Sequence, residues 1–574
     1  MKQVRIRGWM VWSALAVTMT GCVNTPQRAA QHAQREQPLQ RLHVPDGGPD
    51  KDLLALLLAG DFALSQSDLA TATHEYVKAA QLSSDPQIAE QAVRYAIAAR
   101  DWDLAKVARK RWSELAPGDV GLRQIDATLD IAAGDAKSAF EALNELAKQP
   151  HGKGWRLIGQ VLLGSPDKKM AGDLLEQCLK ANTLPGDQAE IWLAISQLAF
   201  KLDRKPLAKE LADTAEKKFA SADTLAWSAQ LAAENGDKTR AKQRYAEAVK
   251  KAPKNIRLRS AYATLLAEGG DNLAAAQILA QGPQDDYTYA ARAAYAARAD
   301  DKSAMRALYN ELKAQPEHER IGQTHLLGQL AELLEMKEAS LTWYQQVPDD
   351  SPRWFDAQLR IAVLLDGSGK QSDALGLAHE LQARAGDEPK RVGEAYLLEA
   401  ELLSHREQND AAIGTYTRGL QALPDDPRLL YARALLYANL ERVPEAEHDL
   451  RRVLELKPDD IDAMNALGYT LADGNQKLQE ALGLIEHAMK AKPDEPAVID
   501  SFGWVQFRLG HLDEAEKALR RAYAKQSDAE IAAHLGEVLW SAGRKDEARQ
   551  VFEQGRKKDA KNKALLDTMR RLGA

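Results

Sequence analysis

The sequence predicts an all-α solenoid of about 15 helix hairpins, and three observations predict it. Pairs of small residues recur twelve positions apart, as in Gly60 and Ala72, Gly159 and Ala171, Ala400 and Ala412, Ala434 and Ala446, Gly503 and Ala515, and Gly536 and Ala548. A large residue follows the second small one four positions on: Tyr76, Leu175, Tyr416, Leu450, Leu519 and Phe552. The whole pattern then returns after 29 to 38 residues, mostly 33 to 35. Two helices of about four turns joined by a short turn bring the small positions face to face, so their axes approach to the lower end of the usual 8–10 Å. Glycine inside a helix costs about 1 kcal/mol against alanine, so its recurrence at one position has a packing cause. The large residue fills the wedge between the helices. Proline at 117, 253, 424, 458 and 493 stops the second helix.

Composition agrees. The 574 residues are too many for one ordinary core, and helix formers dominate while Phe numbers only 8. There are 76 basic and 83 acidic residues, a net charge of −7, so the basic excess of a nucleic-acid binder is missing and no nucleic-acid partner is expected.

At the start of the chain Lys2, Arg5 and Arg7 precede an apolar run from about Trp9 to Met19, too short to span a bilayer. That is the layout of a secretory signal. Met19-Thr20-Gly21-Cys22 resembles the bacterial lipobox. The resemblance implies a signal peptide over 1–21, cleavage before Cys22, and lipidation of Cys22 by thioether and amino-terminal acyl chains such as palmitate. One chain anchors marginally and several anchor durably. Val23 and Asn24 follow, without the Asp that the family associates with inner-membrane retention, so the implied place is the outer membrane, facing the periplasm. Residues 22–50, rich in Gln, Pro, Arg and His, read as a flexible tether spanning on the order of 30 Å.

The repeats occupy the rest: weaker units over 51–150, moderate and degenerate ones over 151–390, and strong ones over 391–574. The second-helix anchors are Ala72, Ala105, Ala139, Ala171, Ala208, Ala241, Ala275, Ala304, Ala339, Ala374, Ala412, Ala446, Ala481, Ala515 and Ala548. These units resemble the tetratricopeptide repeat, a 34-residue helix-turn-helix. The resemblance implies a right-handed superhelix with a concave groove and a polar final cap; Trp540 to Ala574 carries 10 basic and 5 acidic residues. That basic excess suits a solvated capping face or a contact with anionic partners. Gly468 and Ala481 are thirteen apart, because the turn "ADGNQKLQ" has an extra residue. Either a tolerated insertion or a functional elbow accounts for it.

The chemistry-bearing patterns are missing: no H-E-x-x-H, C-x-x-C or G-x-S-x-G occurs. "DGSGKQSD", from Asp366 to Asp373, lacks phosphate-loop spacing and reads as a hairpin turn. Acidic clusters such as Asp426-Pro427 and Glu495-Pro496 read as helix N-caps followed by proline at the first helical position, with a calcium site the other possibility. Cys178 reads as a buried, inert thiol. No catalytic residue, cofactor, metal or small-molecule substrate is therefore expected. The surface remains. With the small residue as position 8 of the first helix, family geometry turns positions 2, 5, 9, 12 and 13 to the groove. Tyr431, Tyr469, Trp504, Phe507, Arg508 and Trp540 then form the candidate protein-binding groove, or else pack against the adjacent repeat.

The chain as a whole is similar to outer-membrane tetratricopeptide lipoproteins, and among them to the adaptors of a periplasmic carboxyl-terminal processing serine protease. The implied role is a non-catalytic adaptor that binds the protease, with docking over 51–150, and presents protein substrates such as peptidoglycan hydrolases. The alternative is a structural scaffold for polysaccharide export, pilus or outer-membrane protein assembly.

Overall fold

The computed structural model describes residues 51–574; the signal segment 1–21, Cys22 and the tether 22–50 lie outside the described residues. Every regular element among the described residues is helical. None of these helices is long and apolar enough to cross a membrane. They fall into two compact units, residues 51–299 and 300–574.

The first unit is built of seven hairpins: Leu53–Ser65 with Leu69–Leu82, Pro86–Ala99 with Trp102–Leu115, Val120–Ala133 with Ala136–Ala147, Lys153–Leu163 with Lys168–Ala181, Ala189–Lys201 with Lys205–Phe219, Ala222–Glu234 with Lys238–Lys251, and Ile256–Glu268 with Asn272–Leu279. The helix Asp286–Arg298 ends it. The second unit opens with Lys302–Lys313 and the short turn Glu317–Arg320. Seven hairpins follow: Thr324–Leu333 with Lys337–Gln345, Trp354–Asp366 with Gln371–Arg384, Pro389–Ser404 with Asn409–Ala422, Pro427–Asn439 with Val443–Leu456, Ile461–Asp473 with Leu478–Ala491, Pro496–Arg508 with Leu512–Lys525, and Ala529–Ser541 with Lys545–Lys558. A single helix, Lys563–Leu572, closes it with Leu565 buried against the last hairpin.

The small-over-large rule is visible atom by atom. A Cβ placed on Gly60 would lie 2.6 Å from the ring of Tyr76, on Gly328 2.6 Å from Tyr344, on Gly503 2.6 Å from Leu519, and on Gly536 2.1 Å from Phe552. Thirteen of the fifteen anchor alanines have no exposed surface. The other two, Ala304 and Ala339, are only half-buried, and the anchors there are the next residues, Met305 and Ser340. Ser340 fits because its hydroxyl donates to the carbonyl of Gly328 at 2.9 Å. Gly159 is also one residue off: nothing lies within 4 Å of a Cβ there, and Ile158 is the buried neighbour. Buried Ile158 and Ala171 are thirteen apart, so one extra residue in this hairpin moves the crossing back by one. The hairpin around turn 474–477 has the same thirteen-residue step: Gly468, thirteen before Ala481, sits under Ile485, and Asn475 and Lys477 in the turn are left-handed.

Turn chemistry differs between the units. In the first, six of the seven second helices start on Asp68, Asp101, Asp135, Asp167, Asp237 and Asp271, each accepting from a backbone N–H of the first turn, and the seventh starts on uncapped Arg204. Such caps stabilise by about 1 kcal/mol each. In the second, Arg442, Lys477 and Arg544 stand at that position without a capping bond and pair instead with carboxylates of second helices. Arg544 reaches Glu516 of the preceding hairpin at 2.6 Å, and Lys477 reaches Glu447. Asp426 and Asp460 are N-caps, as the acidic clusters predict, whereas Glu495 occupies that position without a side-chain bond. "DGSGKQSD" is a hairpin turn around left-handed Gly369. The short helix Asn272–Leu279 of the degenerate region is closed by fully buried Arg259, whose guanidinium donates to the carbonyls of Leu279 and Pro283 at 2.5 Å each.

Candidate interaction surfaces

Four of the six predicted groove residues come together on the first helices of consecutive hairpins. Tyr469 lies on Ile461–Asp473, while Trp504, Phe507 and Arg508 lie on Pro496–Arg508. Trp504 is buried at 4% exposure, and Phe507 packs 5.3 Å from it. The Trp504 indole N–H donates to Asp473 Oδ1 at 3.2 Å, and Arg508 lies over the indole at 5.7 Å while donating to the Asp473 carbonyl. Tyr431 stands one hairpin earlier, half-buried against the same apolar cluster. Trp540 stands one hairpin later, half-buried under Lys545 and Arg549 at 5.0 and 5.2 Å from its ring.

The structure adds residues outside the predicted six. His534 stacks on Trp504 with ring centroids 4.3 Å apart. Its Nδ1 faces both Asp500 oxygens at 2.9 and 3.0 Å, and its Nε2 lies 3.2 Å from the Tyr469 hydroxyl. A carboxylate opposite Nδ1 favours the proton there, and in that neutral tautomer Nε2 accepts from the tyrosine. Asp500 and His534 are both buried. Three residues beyond His534, buried Glu537 pairs with Arg571 of the closing helix. The bonding order resembles that of a hydrolytic triad, with a phenol where the nucleophilic hydroxyl would stand. Burial pushes the Tyr469 pKa well up, and the neighbouring carboxylates Asp473 and Asp500 add to it, so the phenol keeps its proton. The signal for this cluster is a polar residue on the inward face of neighbouring units, Asp500 three before Gly503 and His534 two before Gly536.

A second surface lies at the other end of the chain. Leu54, Leu58 and Phe62 are 51%, 59% and 66% exposed. They stand four residues apart along Leu53–Ser65 and so share one face. The segment LLALLLAGDFALS is apolar nearly all round, and a helix of that kind is ordinarily covered on every side. Its inner side is covered: Leu56, Gly60 and Ala63 are buried, and Asp61 accepts from the Tyr76 hydroxyl at 2.6 Å. Nothing among the described residues covers the outer stripe.

Other reactive groups are held in the fold. Cys178 is buried and its thiol pKa is pushed up to about 12 by that burial. Among the described residues no group of three or more His, Cys, Asp or Glu is placed to hold a metal ion.

The tetratricopeptide repeat family model matches residues 431–496 and 501–563. The TPR repeat-containing protein PA4667 of Pseudomonas aeruginosa is 40% identical over 211 residues, 37% of this chain and 35% of that protein. Bacteriophage adsorption protein A of Escherichia coli K12 is 33% identical over 113 residues, 20% of this chain and 11% of that protein. The chain thus spans about a third or less of the length of these curated relatives. Among solved structures, a thermophilic TPR protein of Thermus thermophilus aligns over 32% of this chain and 97% of its own with 26% identity and a TM-score of 0.29. The APC/C hetero-tetramer Cut9–Hcn1 aligns over 90% of this chain and 95% of its own with 15% identity and a TM-score of 0.33.

Proposed function

With tetratricopeptide repeats as the premise, we propose that this protein is a non-catalytic outer-membrane lipoprotein adaptor that binds a periplasmic carboxyl-terminal processing protease and presents protein substrates to it, peptidoglycan hydrolases among them. The observation that carries the docking part is the uncovered stripe Leu54, Leu58 and Phe62. It falls in the segment 51–150, where the resemblance puts the protease. Three side chains spaced i, i+4, i+8 suit an apolar groove on a partner, the helix-in-groove mode. The same stripe on two copies would bury only several hundred Å², well short of the roughly 1,200–2,000 Å² of a stable interface, so self-pairing is the poorer fit.

The division of labour follows. Lipid at Cys22 holds the protein at the membrane, and the tether gives reach. The protease sits at the amino-terminal end, while substrates are recruited along the remaining repeats. Holding both on one chain raises their effective concentration to the millimolar range typical of short linkers without any chemistry by the adaptor. The reactive serine belongs to the partner.

The test is the triple variant Leu54→Glu, Leu58→Glu, Phe62→Glu. All three side chains point to solvent, so helicity and thermal unfolding are expected to stay unchanged. Capture of the protease by the purified variant is expected to fall at least tenfold. Unchanged capture would remove the stripe from the account.

A further inference from the structure

In a repeat array each unit ordinarily touches only its neighbours. The ion pairs that brace adjoining hairpins of this protein obey that rule: Arg452 to Asp425 spans 27 positions, Arg451 to Glu480 29, and Arg406 to Asp366 40. The Tyr469–His534 bond spans 65 positions, two whole repeats. It passes over the hairpin that lies between, and Trp504 of that hairpin is stacked beneath the imidazole.

We propose that Tyr469, Trp504, Asp500 and His534 form a conformational clasp that makes the last three hairpins and the closing helix open and close as one unit, so that a partner engaging one end of this face is felt at the other. Three features support this. The imidazole is held on three sides, by Asp500 at Nδ1, Tyr469 at Nε2 and the indole face below. The indole is itself tied back to Asp473 on the helix that carries Tyr469. The chain of contacts continues to the closing helix through Glu537 and Arg571, one helical turn beyond His534. Four successive inward helices are therefore joined by side-chain contacts, from the buried Asp500–His534 pair to the half-exposed Glu537–Arg571 pair, in addition to the apolar packing between neighbours. A nearest-neighbour stack would loosen hairpin by hairpin from its end. A bond from unit n to unit n+2 penalises the opening of either without the other.

Native-state hydrogen exchange on the full chain tests this. In the wild type, the amides of Ile461–Asp473 and Ala529–Ser541 are expected to show one common protection factor. Tyr469→Phe removes one hydroxyl, and the loss of one net hydrogen bond corresponds to about 2- to 10-fold faster exchange. The clasp predicts that acceleration in both helices, including Ala529–Ser541, which the substitution does not touch in sequence. His534→Gln should give the same pattern and a larger factor. Tyr431→Phe, on the preceding hairpin, should leave Ala529–Ser541 unchanged. Acceleration confined to Ile461–Asp473 in Tyr469→Phe, or protection in the wild type that already differs between the two helices, would overturn the proposal. If His534→Gln does not fold, Tyr469→Phe decides alone.

Discussion

Gly536→Ala is the sharpest probe of why these helices pack as they do. The added methyl would lie 2.1 Å from one carbon of the Phe552 ring and 2.6 Å from two others. Carbon atoms in contact prefer about 3.5–4.0 Å, so the ring must retreat by more than about 1 Å. It has no room, because Phe552 is fully buried and packed in the cluster with Ala532, Leu535 and Leu565. Overpacking of this kind costs about 1–3 kcal/mol, and this contact belongs at the upper end. Alanine returns about 1 kcal/mol of helix propensity, leaving about 2 kcal/mol of net destabilisation. Gly159→Ala is the matched control: nothing lies within 4 Å of its Cβ, so only the gain of about 1 kcal/mol applies. Hydrogen exchange within each hairpin reads both changes locally, which suits an array whose units need not unfold together. Phe552→Leu should rescue Gly536→Ala, with a coupling energy of about 1 kcal/mol or more in the double-mutant cycle. Equal effects of alanine at 536 and 159 would refute the argument that close approach of the helices selects glycine.

Three other perturbations address separate parts. Cys22→Ser should leave the protein uncleaved or soluble, so membrane fractionation that persists would contradict the lipid anchor. Asp449→Ala leaves Arg433, to which Asp449 is bonded at 2.7 and 2.8 Å and beside which it is nearly fully buried, without a counter-charge. A loss of about 3–5 kcal/mol is expected in urea unfolding, largely recovered by Asp449→Leu with Arg433→Met. Burial raises the Glu401 carboxyl pKa from 4.5 to about 7, so between those values the folded chain holds a proton that the unfolded chain has released, and stability falls as pH rises. Burial lowers His325 from 6.5 to about 4, so there the unfolded chain holds the extra proton and stability falls as pH drops. The two slopes oppose each other in the wild type. Glu401→Gln should therefore be more stable than wild type at pH 8 by on the order of 1–3 kcal/mol, with the difference vanishing near pH 4. A difference that does not change with pH would contradict the burial of Glu401.

The hairpins were legible because their steric logic is local: Gly503 and Leu519, or Gly536 and Phe552, meet within sixteen positions of one another. Spacing misplaces the crossing by one residue at Gly159, where the hairpin holds an extra residue, and where an alanine precedes the true anchor, at Ala304 before Met305 and Ala339 before Ser340. Spacing alone does not fix which of two adjacent residues sits at the crossing, whereas burial does. The inward cluster was half legible. Repeat position identified Tyr469 and Trp504, and it places Asp473 and Asp500 at groove positions too, but His534 holds no groove position and its bond to Tyr469, 65 positions away, emerges only from the fold. The outer stripe of Leu53–Ser65 was hidden for the opposite reason. An apolar segment predicts burial, and which of its faces stays uncovered depends on what is absent beside it.

The most direct measurement is the turnover of a periplasmic carboxyl-terminal processing protease on a peptidoglycan hydrolase, with and without this protein. The account predicts that the protein alone cleaves nothing, and that its addition accelerates the protease in a manner abolished by Leu54→Glu, Leu58→Glu, Phe62→Glu. A protease rate unchanged by the protein, or hydrolysis by the protein on its own, would contradict it.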